Sequence, residues 1–404
     1  MIERPNQEGL DNETLPELQN STILDKLKTR VEQGKPADVV CLDFDGVVYE
    51  LNRTADGRFE RSGDNTELSK IMAEGSIPHL IISARPDWGE GDSAKAAEFG
   101  LSDPDAVIVG VGTVIYWRDK EGKLIADQEY SELMKHQKIS FVEDGKPKTI
   151  DYSPEVLADV LSGALNDYAA LGCDKIKIDR NSQGGFVVLD ISDMPYDVLT
   201  RLIREIKHEV NGVRVTFSEN IEKVSDEVFT GWLQVLPKGA GKDGATRFAL
   251  DKIARGSNPA QIDQKKVKAH IFGDSAVDIW MLALGNRQGD PYTMDQYLLK
   301  NATPHAQNKT RPLLDACSGE TDDADITRIT ELQEAGRLQQ YRSALIEEMR
   351  GIDQTDSANR DRIRAIRLEL HKITRVSHPE YPSANLRMVE ESGPTGVLAI
   401  AKNL

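Results

Sequence analysis

Short uninterrupted apolar runs recur along the chain and alternate with segments of helical spacing. The runs at 37–43, "HLIIS" (79–83) and "AVIVGVGTVIYW" (106–117) lack the alternation of a half-exposed strand, so they predict strands buried on both faces. Between them, "NTELSKIMAEGSI" and "SAKAAEFGL" predict helices. Strands that alternate with helices indicate βαβ units and an α/β fold with a Rossmann-like parallel sheet.

The pattern changes in the middle of the chain. Between residues 118 and 228, segments such as "KISFVED" and "GFVVLDIS" alternate only in part and are separated by amphipathic helical segments such as "YDVLTRLIREIKHEV". "VRVTFSE" and "GWLQVLP" follow as further strands, and the buried-strand pattern returns at "AHIFGDSAVDIWML". The sequence therefore predicts an α+β domain at 118–228, inserted into a core formed by 37–117, 229–321 and 377–404.

Two further segments differ from the core. Residues 1–36 predict a helical extension, with an amphipathic helix at 15–31 that stops at "QGKP". Residues 322–376 predict a charged antiparallel helical hairpin inserted in the core, with its own apolar seam. A contact with a second copy of the chain, or a docking site for a partner, is the alternative role for the hairpin. Its apolar positions recur mostly three and four apart: Ile326, Ile329, Leu332, Leu338, Tyr341, Leu345, Met349, Ile363, Ile366, Leu370 and Ile373.

Composition excludes several classes of protein. The 404 residues carry a net charge of −17, which argues against a nucleic-acid or anionic-membrane partner. No run of about 18 apolar residues predicts a membrane span, and the polar N-terminus does not resemble a signal peptide. The widely spaced Cys41, Cys173 and Cys317 form no CxxC pair, so we expect a cytoplasmic protein without a disulfide framework.

Polar groups follow the predicted buried strands. Asp43 and Asp45 end the first, and Ser83 ends the second. After "LQVLP", read as a third buried strand, Lys242 begins a helix, and Lys238 is its competitor for the same role. Because ligands bind beyond the carboxyl ends of parallel strands, we expect these groups to share one site.

A fourth buried strand, "HIFGD", ends in Asp274, and Asp278 follows four residues later. Asp278 is either a helix N-cap or a support for the site, or both. Close carboxylates are tolerable when a divalent cation neutralises them, and oxygen ligands without a His or Cys cluster favour Mg²⁺. A cation, a lysine and a hydroxyl around a carboxylate form a receptacle for a phosphoryl group.

The motifs "DFDGVV", "IISAR", "PKGAGKDGA" and "FGDSAVD" resemble, in order, the four motifs of the haloacid dehalogenase superfamily of phosphatases. The segment between the second and third is similar to the superfamily's large α+β cap. Within the superfamily, "KISFVED", "LQVLPKGAGKDGATRFAL" and "KNATPHAQ" are most similar to sucrose-phosphate phosphatases and Cof-type sugar phosphatases. The resemblance covers residues 37–315 and 384–404, but not the hairpin. "SAR" replaces the usual "TGR", and Val277 stands where Asn is frequent, so substrate detail does not follow.

The resemblance implies an Mg²⁺-dependent phosphatase of a small phosphorylated metabolite, such as a sugar phosphate. Asp43 would be the nucleophile and Asp45 the acid/base. Asp43, the Asp45 carbonyl and Asp274 would hold the ion, Ser83 and Lys242 would grip the phosphoryl oxygens, and Asp278 would support them. A phosphomutase or phosphotransferase of the same fold, and an interaction protein using the hairpin, are the alternatives.

Several other basic residues are weaker candidates. Arg85 is expected to be structural or a salt-bridge partner rather than catalytic. Lys138, Lys175 and Lys177 in the predicted cap could meet a sugar or phosphate, although lysines there are more often solvated.

Overall fold

The structure is a computed structural model of the whole chain. It describes residues 18, 20–53, 59–85, 87–164, 173–181, 184–219, 228–256, 267–284, 290–303, 306–307, 323–352, 359, 362–363, 365–366, 369–370, 372–373 and 386–404. Within them, the strands are β1 (Asp38–Asp43), β2 (Glu50–Arg53), β3 (Phe59–Ser62), β4 (His79–Ile82), β5 (Ala106–Val109), β6 (Val114–Arg118), β7 (Leu124–Ala126), β8 (Lys138–Glu143), β9 (Lys146–Asp151), β10 (Cys173–Asn181), β11 (Gly184–Pro195), β12 (Val213–Glu219), β13 (Val228–Pro237), β14 (Val267–Gly273), β15 (Tyr292–Leu298) and β16 (Leu386–Met388).

The helices of the same residues surround and connect these strands. They are α1 (Thr22–Glu32), α2 (Thr66–Glu74), α3 (Glu90–Glu98), α4 (Gln128–Lys135), α5 (Pro154–Ala164), α6 (Tyr196–Glu209), α7 (Lys242–Gly256), α8 (Ile279–Leu282), α9 (Asp323–Glu334), α10 (Leu338–Gly351) and α11 (Gly393–Ala401). None of the helices described is long and apolar enough to cross a membrane.

An eight-stranded sheet forms the core, in the order β16-β15-β14-β1-β4-β5-β6-β7. The six strands from β16 to β5 run parallel. Successive residues of β1 enter two different apolar clusters, with Val39 and Cys41 on one face and Val40 and Leu42 on the other. The predicted α/β fold with a buried parallel sheet is therefore confirmed. Apolar and polar residues do not alternate along β1 because the strand is buried on both faces.

The predicted limits of the inserted domain were wrong at both ends. β6 and β7 pair antiparallel to the core sheet, so the core continues past residue 118 to 126. β13, which contains "LQVLP", lies instead in a four-stranded antiparallel sheet, so the core does not resume at 229. Apolar content alone cannot assign a buried strand to one of two sheets, because both sheets bury their strands.

The four-stranded sheet has the order β10-β11-β13-β12 and forms an α+β module that we call the cap. One face packs against α5 and α6, through residues such as Leu157, Leu202 and Leu233. On the other face, Phe186, Val188 and Leu236 join the apolar cluster of the core. The cap is thus seated on the core by its uncovered face.

The insertion at 322–376 has its own apolar cluster, built around Ile329, Leu345, Ile366 and Ile373. The first helix predicted for the insertion is interrupted and forms two helices, α9 and α10. The turn between them contains Gly336, whose φ is +67°. The described residues between 362 and 373 are helical as well. Among the described residues of the insertion, three helical stretches, rather than the two of a hairpin, contribute to this cluster.

The N-terminal segment differs from its prediction at one end. The helix predicted at 15–31 begins at Thr22, as α1, and residues 15–17 lie outside the part that the structure describes. α1 buries Ile23 and Leu27 against the core.

Candidate active site

The carboxyl ends of three neighbouring strands bring the first candidate residues together. β1 lies between β4 and β14, and Asp43 is in register with Ile82, the residue before Ser83. Asp274 directly follows Gly273, the last residue of β14. Asp43, Ser83 and Asp274 are all buried, as expected for polar groups at the ends of strands that are themselves buried.

Lys242 reaches this group of residues from the first turn of α7. Its Nζ donates to Asp43 Oδ1 and to Asp278 Oδ1, each at 2.6 Å. Burial lowers the pKa of the Lys242 ammonium, but the charges of Asp278 and Asp43 outweigh burial and hold this pKa above its ordinary value. Lys242 is therefore a buried cation shared by two carboxylates, whereas Lys238 is exposed.

Asp278 organises the loop that follows β14. Its Oδ2 accepts hydrogen bonds from the backbone N–H of Asp274 and of Ser275, and from Ser275 Oγ at 2.7 Å. Although Asp278 stands at the N-cap position of α8, its side chain makes no capping hydrogen bond. The support role predicted for Asp278 agrees with this geometry, and the capping alternative does not.

Asp274 lies in a space that Gly46 keeps open. Gly46 has φ +89°, and a Cβ atom there would overlap the Asp274 carboxylate. Asp274 Oδ1 is buried and has no hydrogen-bond partner among the described residues. Burial first, and then the charge of Asp43, raise the pKa of the Asp274 carboxyl well above its usual range.

Three carboxylates converge in this space. Single oxygens of Asp43, Asp274 and Asp278 lie within 4.8 Å of one another. Burial, followed by the charge of Asp278, also raises the pKa of Asp43 well above its ordinary value. One lysine does not neutralise three buried carboxylates, and the unpartnered Asp274 oxygen is the kind of ligand a divalent cation takes. The residues therefore fit a hard cation bound by oxygen, as Mg²⁺ is.

The Asp45 side chain lies in a different environment from Asp43. Asp45 Oδ1 accepts from Arg85 Nη2 at 2.9 Å and from the Tyr49 hydroxyl. Arg85 Nη1 also pairs with Asp92 at 2.6 Å. Burial raises the pKa of Asp45, but the hydrogen bonds and charge of Arg85 outweigh it and lower this pKa below its ordinary value. Arg85 is the salt-bridge partner that was expected, and its partner is the candidate acid/base.

Ser83 is fully buried beside the same loop. Its backbone N–H continues the pairing to β5 by donating to the carbonyl of Ile108, and its Oγ accepts from the backbone N–H of Arg85 at 3.1 Å. Because that N–H occupies one acceptor position, the hydroxyl keeps its own hydrogen as a donor for an oxygen in the site.

Two residues that contact the loop of the candidate site were not singled out in the sequence. Asn301 donates to the Gly46 carbonyl at 2.8 Å and accepts from the backbone N–H of Gly393 at 3.0 Å. It therefore fixes the loop that carries Asp45 and Gly46, and "KNATPHAQ" was the signal that pointed to it. Tyr49 has no comparable signal, because its hydroxyl reaches Asp45 only through the bend at 44–49.

The lysines predicted as cap contacts are not brought to the site by any described contact. Lys138 is exposed and pairs with Asp151 at 2.6 Å. The side chains of Lys175 and Lys177 lie outside the described residues.

Comparisons with known proteins gave matches in fold alone. No protein-family model and no curated protein matches the chain. The chain is similar to the sucrose-phosphatase from Synechocystis sp. PCC6803 solved with sucrose and phosphate, at 13% identity and TM-score 0.47 over 91% of this chain and 98% of that one.

Two further solved structures show the same kind of likeness. A haloacid dehalogenase-like hydrolase from Bacillus subtilis is similar at 17% identity and TM-score 0.36, over 68% of this chain and 85% of that one. The C-terminal domain of trehalose-6-phosphate phosphatase from C. albicans is similar at 12% identity and TM-score 0.37, over 64% and 77%. Likenesses this distant assign no activity to the chain, so the conclusion below depends on its own residues.

Proposed function

We propose that the chain is an Mg²⁺-dependent phosphoric monoester hydrolase that acts on a small phosphorylated metabolite through an aspartyl-phosphate on Asp43. One observation carries the proposal: a buried carboxylate at a strand end, Asp43, shares Lys242 with Asp278 and lies beside the unpartnered Asp274 oxygen. This is the charge pattern that a phosphoryl group and a cation would complete together. The resemblance of the motifs to those of sugar phosphatases supports a sugar phosphate as the substrate.

The cation would be held by the carboxylates of Asp43 and Asp274 and by the backbone carbonyl of Asp45. When bound, Mg²⁺ supplies positive charge that neutralises these carboxylates and the phosphoryl oxygens. Lys242 and the Ser83 hydroxyl would donate to those oxygens and orient the phosphorus toward Asp43.

In the first step, an oxygen of Asp43 forms a bond to phosphorus while the bond from phosphorus to the leaving oxygen breaks. Asp45 gives its proton to that oxygen, so the substrate leaves as an alcohol. In the second step, water attacks the phosphorus of the aspartyl-phosphate and gives a proton to Asp45. The bond from phosphorus to Asp43 breaks, which releases inorganic phosphate and restores both carboxyl groups.

The Arg85 contact constrains the role of Asp45. Paired with Arg85 and Tyr49, Asp45 is ionised, which is the state that a base needs in the second step. To donate a proton in the first step, Asp45 must separate from Arg85 and take up a proton from solvent when substrate binds. Arg85 would then control when the acid is available.

The test is a screen of phosphorylated metabolites with Mg²⁺, in parallel with chelator and with Asp43→Asn. We expect release of inorganic phosphate from at least one sugar phosphate in the parent alone, and only with Mg²⁺. Absence of phosphate release across the panel and from an aryl phosphate would contradict the proposal. Transfer of phosphate to a second sugar, without release to water, would instead indicate a phosphomutase.

A further inference from the structure

One arginine of the cap contacts the core segments that carry the site. Arg214 lies on β12, and its side chain is 19% exposed. Its Nη1 and Nη2 donate to the two carboxylate oxygens of Asp243, at 2.5 and 3.0 Å. Nη1 also donates to the carbonyl of Ala240 at 3.1 Å. This bidentate pair joins a strand of the cap to the start of α7, where Asp243 directly follows Lys242.

The same guanidinium contacts a second core segment. The Arg214 Cζ atom lies 5.4 Å from the centre of the Trp280 ring. Trp280 is two residues beyond Asp278 and is 57% exposed, which is unusual for so large an apolar side chain. An arginine over a tryptophan face is a favourable contact that also depends on the position of the cap.

The backbone between cap and core passes closely under this arginine. β13 of the cap ends at Pro237, and the chain reaches Lys242 through 238–241. Gly241 has φ +129°, and a Cβ atom at this position would overlap Arg214 Nη1. On the other side, the Gly241 backbone lies so close to Gly112 that a Cβ atom at Gly112 would overlap it. The connection is therefore held between the cap and the loop after β5.

From these contacts we propose that Arg214 is a positioning residue, which transmits the orientation of the cap to Lys242 and Asp278. Lys242 and Asp278 form an ion pair with each other, and Arg214 holds a near neighbour of each. The Arg214 contacts would then hold the phosphate-binding lysine in its place, and their loss would loosen it. The inference deepens the proposed function and rests on it for the role of Lys242.

An interface salt bridge that served stability alone would predict something different. Its loss would lower the melting temperature and leave the affinity for phosphate unchanged. A lysine displaced by about 1 Å reduces catalysis by about 10²-fold, because the reacting groups lose their alignment. Binding of phosphate and kinetics of a small substrate therefore separate the two roles.

The experiment compares Arg214→Ala and Arg214→Lys with the parent. Arg201→Ala is the matched control, since Arg201 forms an exposed ion pair within the cap, with Asp197 at 3.4 Å. We expect Arg214→Ala to lower kcat/KM for an aryl phosphate by about 10- to 100-fold and to weaken inhibition by inorganic phosphate in the same direction. Arg214→Lys should recover part of the loss, because it keeps the charge but not the bidentate geometry. Arg201→Ala should match the parent.

Amide hydrogen exchange gives a readout that does not depend on activity. In Arg214→Ala we expect faster exchange at 239–246 and at 274–281, with 184–195 of the cap unchanged. If Arg214→Ala fails to fold, Asp243→Asn removes the same charge pair from the core side, and the same results are expected of it.

The outcomes separate the inference from the proposed function. Kinetics and phosphate inhibition within twofold of the parent, together with unchanged exchange at 239–246, would overturn the role of Arg214 while leaving a phosphatase intact. If the parent itself hydrolyses no phosphomonoester, the proposed function fails. Exchange then decides the coupling alone: faster exchange at 239–246 in Arg214→Ala supports it, and unchanged exchange overturns it.

Discussion

Asp43 and Asp45 are two residues apart, yet their surroundings act on their pKa values in opposite directions. Burial and neighbouring carboxylates raise the pKa of Asp43, whereas Arg85 lowers that of Asp45. A buried side chain among other carboxylates suits the proposed nucleophile, which a cation would neutralise when it meets a phosphate. A side chain paired with an arginine suits the proposed acid/base, provided that the pair opens when a proton is exchanged.

Asp43→Asn is expected to reduce turnover of any phosphomonoester by at least about 10³-fold, because the amide is a poor nucleophile of nearly the same shape. The measurement is release of inorganic phosphate under saturating Mg²⁺. Circular dichroism of the variant serves as the control for folding. Activity within tenfold of the parent would remove Asp43 from the role of nucleophile.

Asp45→Asn is expected to affect substrates according to their leaving group. Formation of the aspartyl-phosphate from a sugar phosphate should slow by about 10²- to 10⁴-fold, because the alkoxide needs a proton. The same step with an aryl phosphate should slow less, since a phenolate leaves without one. Burst kinetics of the two substrates measure this step, and equal losses would contradict the acid role of Asp45.

Asp274→Ala is expected to remove the effect of Mg²⁺ on thermal stability. In the parent, a bound ion would relieve the repulsion between Asp43 and Asp274, so Mg²⁺ should raise the melting temperature and chelator should reverse the rise. The variant lacks a charged ligand and should show little shift. Glu132→Ala, which changes an exposed carboxylate paired with Lys135, is the control and should respond as the parent does. A parent insensitive to Mg²⁺ would argue against the cation site.

At the scale of whole elements, the predictions that held concern buried parallel strands. The run at 37–43 lacks alternation because β1 contacts apolar clusters on both faces, and only a strand inside a layered sheet does so. β7 and β13 were assigned to the wrong unit, because their apolar content is equally compatible with either sheet. Sheet membership depends on pairing partners, such as Leu233 opposite Leu189, that lie far away in sequence.

For the site, the sequence singled out six candidate residues and left the detailed contacts of their side chains open. The order of motifs along predicted strand ends was enough to place Asp43, Ser83 and Asp274 together. That Asp278 joins the buried carboxylates, and that Arg85 holds Asp45, depend on side-chain directions in loops. Loop geometry follows from tertiary contacts rather than from periodicity, so no pattern in the chain predicted it.

His79, the first residue of β4, should make the stability of the fold depend on pH. His79 is fully buried, and burial lowers its pKa despite the nearby Asp105. Its Nε2 lies 3.1 Å from the carbonyl of Ser102, which the neutral ring satisfies as a donor. The folded state therefore takes up the His79 proton at lower pH than the unfolded state, whose histidine pKa is about 6.5.

The stability that the neutral ring contributes is complete above about pH 6.5 and is lost as the pH falls toward the folded pKa. Between pH 7.5 and 5.5 the melting temperature of His79→Gln should fall less than that of the parent. His208→Gln is the control, because His208 is exposed, and its decrease should equal that of the parent. Equal decreases in all three proteins would contradict the prediction.

At the scale of the whole molecule, the insertion at 322–376 has an apolar cluster of its own. Its cluster contains only residues of the insertion among those described. Replacing 322–376 by a short Gly/Ser linker should leave the core folded, because the cost of closing a loop changes slowly with its length. The chain left between β15 and β16 still exceeds the dozen or so residues that a parallel crossover needs.

Aryl phosphatase activity of the deletion protein, measured against the full chain, tests this independence. All the candidate catalytic residues precede the insertion, so we expect the activity to be retained within about threefold, since distant and independent regions contribute additively. Size-exclusion chromatography shows whether the insertion controls the oligomeric state. A folded, monodisperse deletion protein without aryl activity would mean that the insertion belongs to the active site.

The order of strands in the core sheet has a consequence for synthesis of the chain. β1 pairs on one side with β4, which follows closely, but on the other side with β14, more than 200 residues later. While the ribosome makes the cap, β1 therefore presents an open edge of unpaired backbone groups beside an apolar face. Chains paused or truncated before residue 267 should aggregate or bind chaperones, whereas release after 298 lets β14 cover that edge and β15 cover β14 in turn.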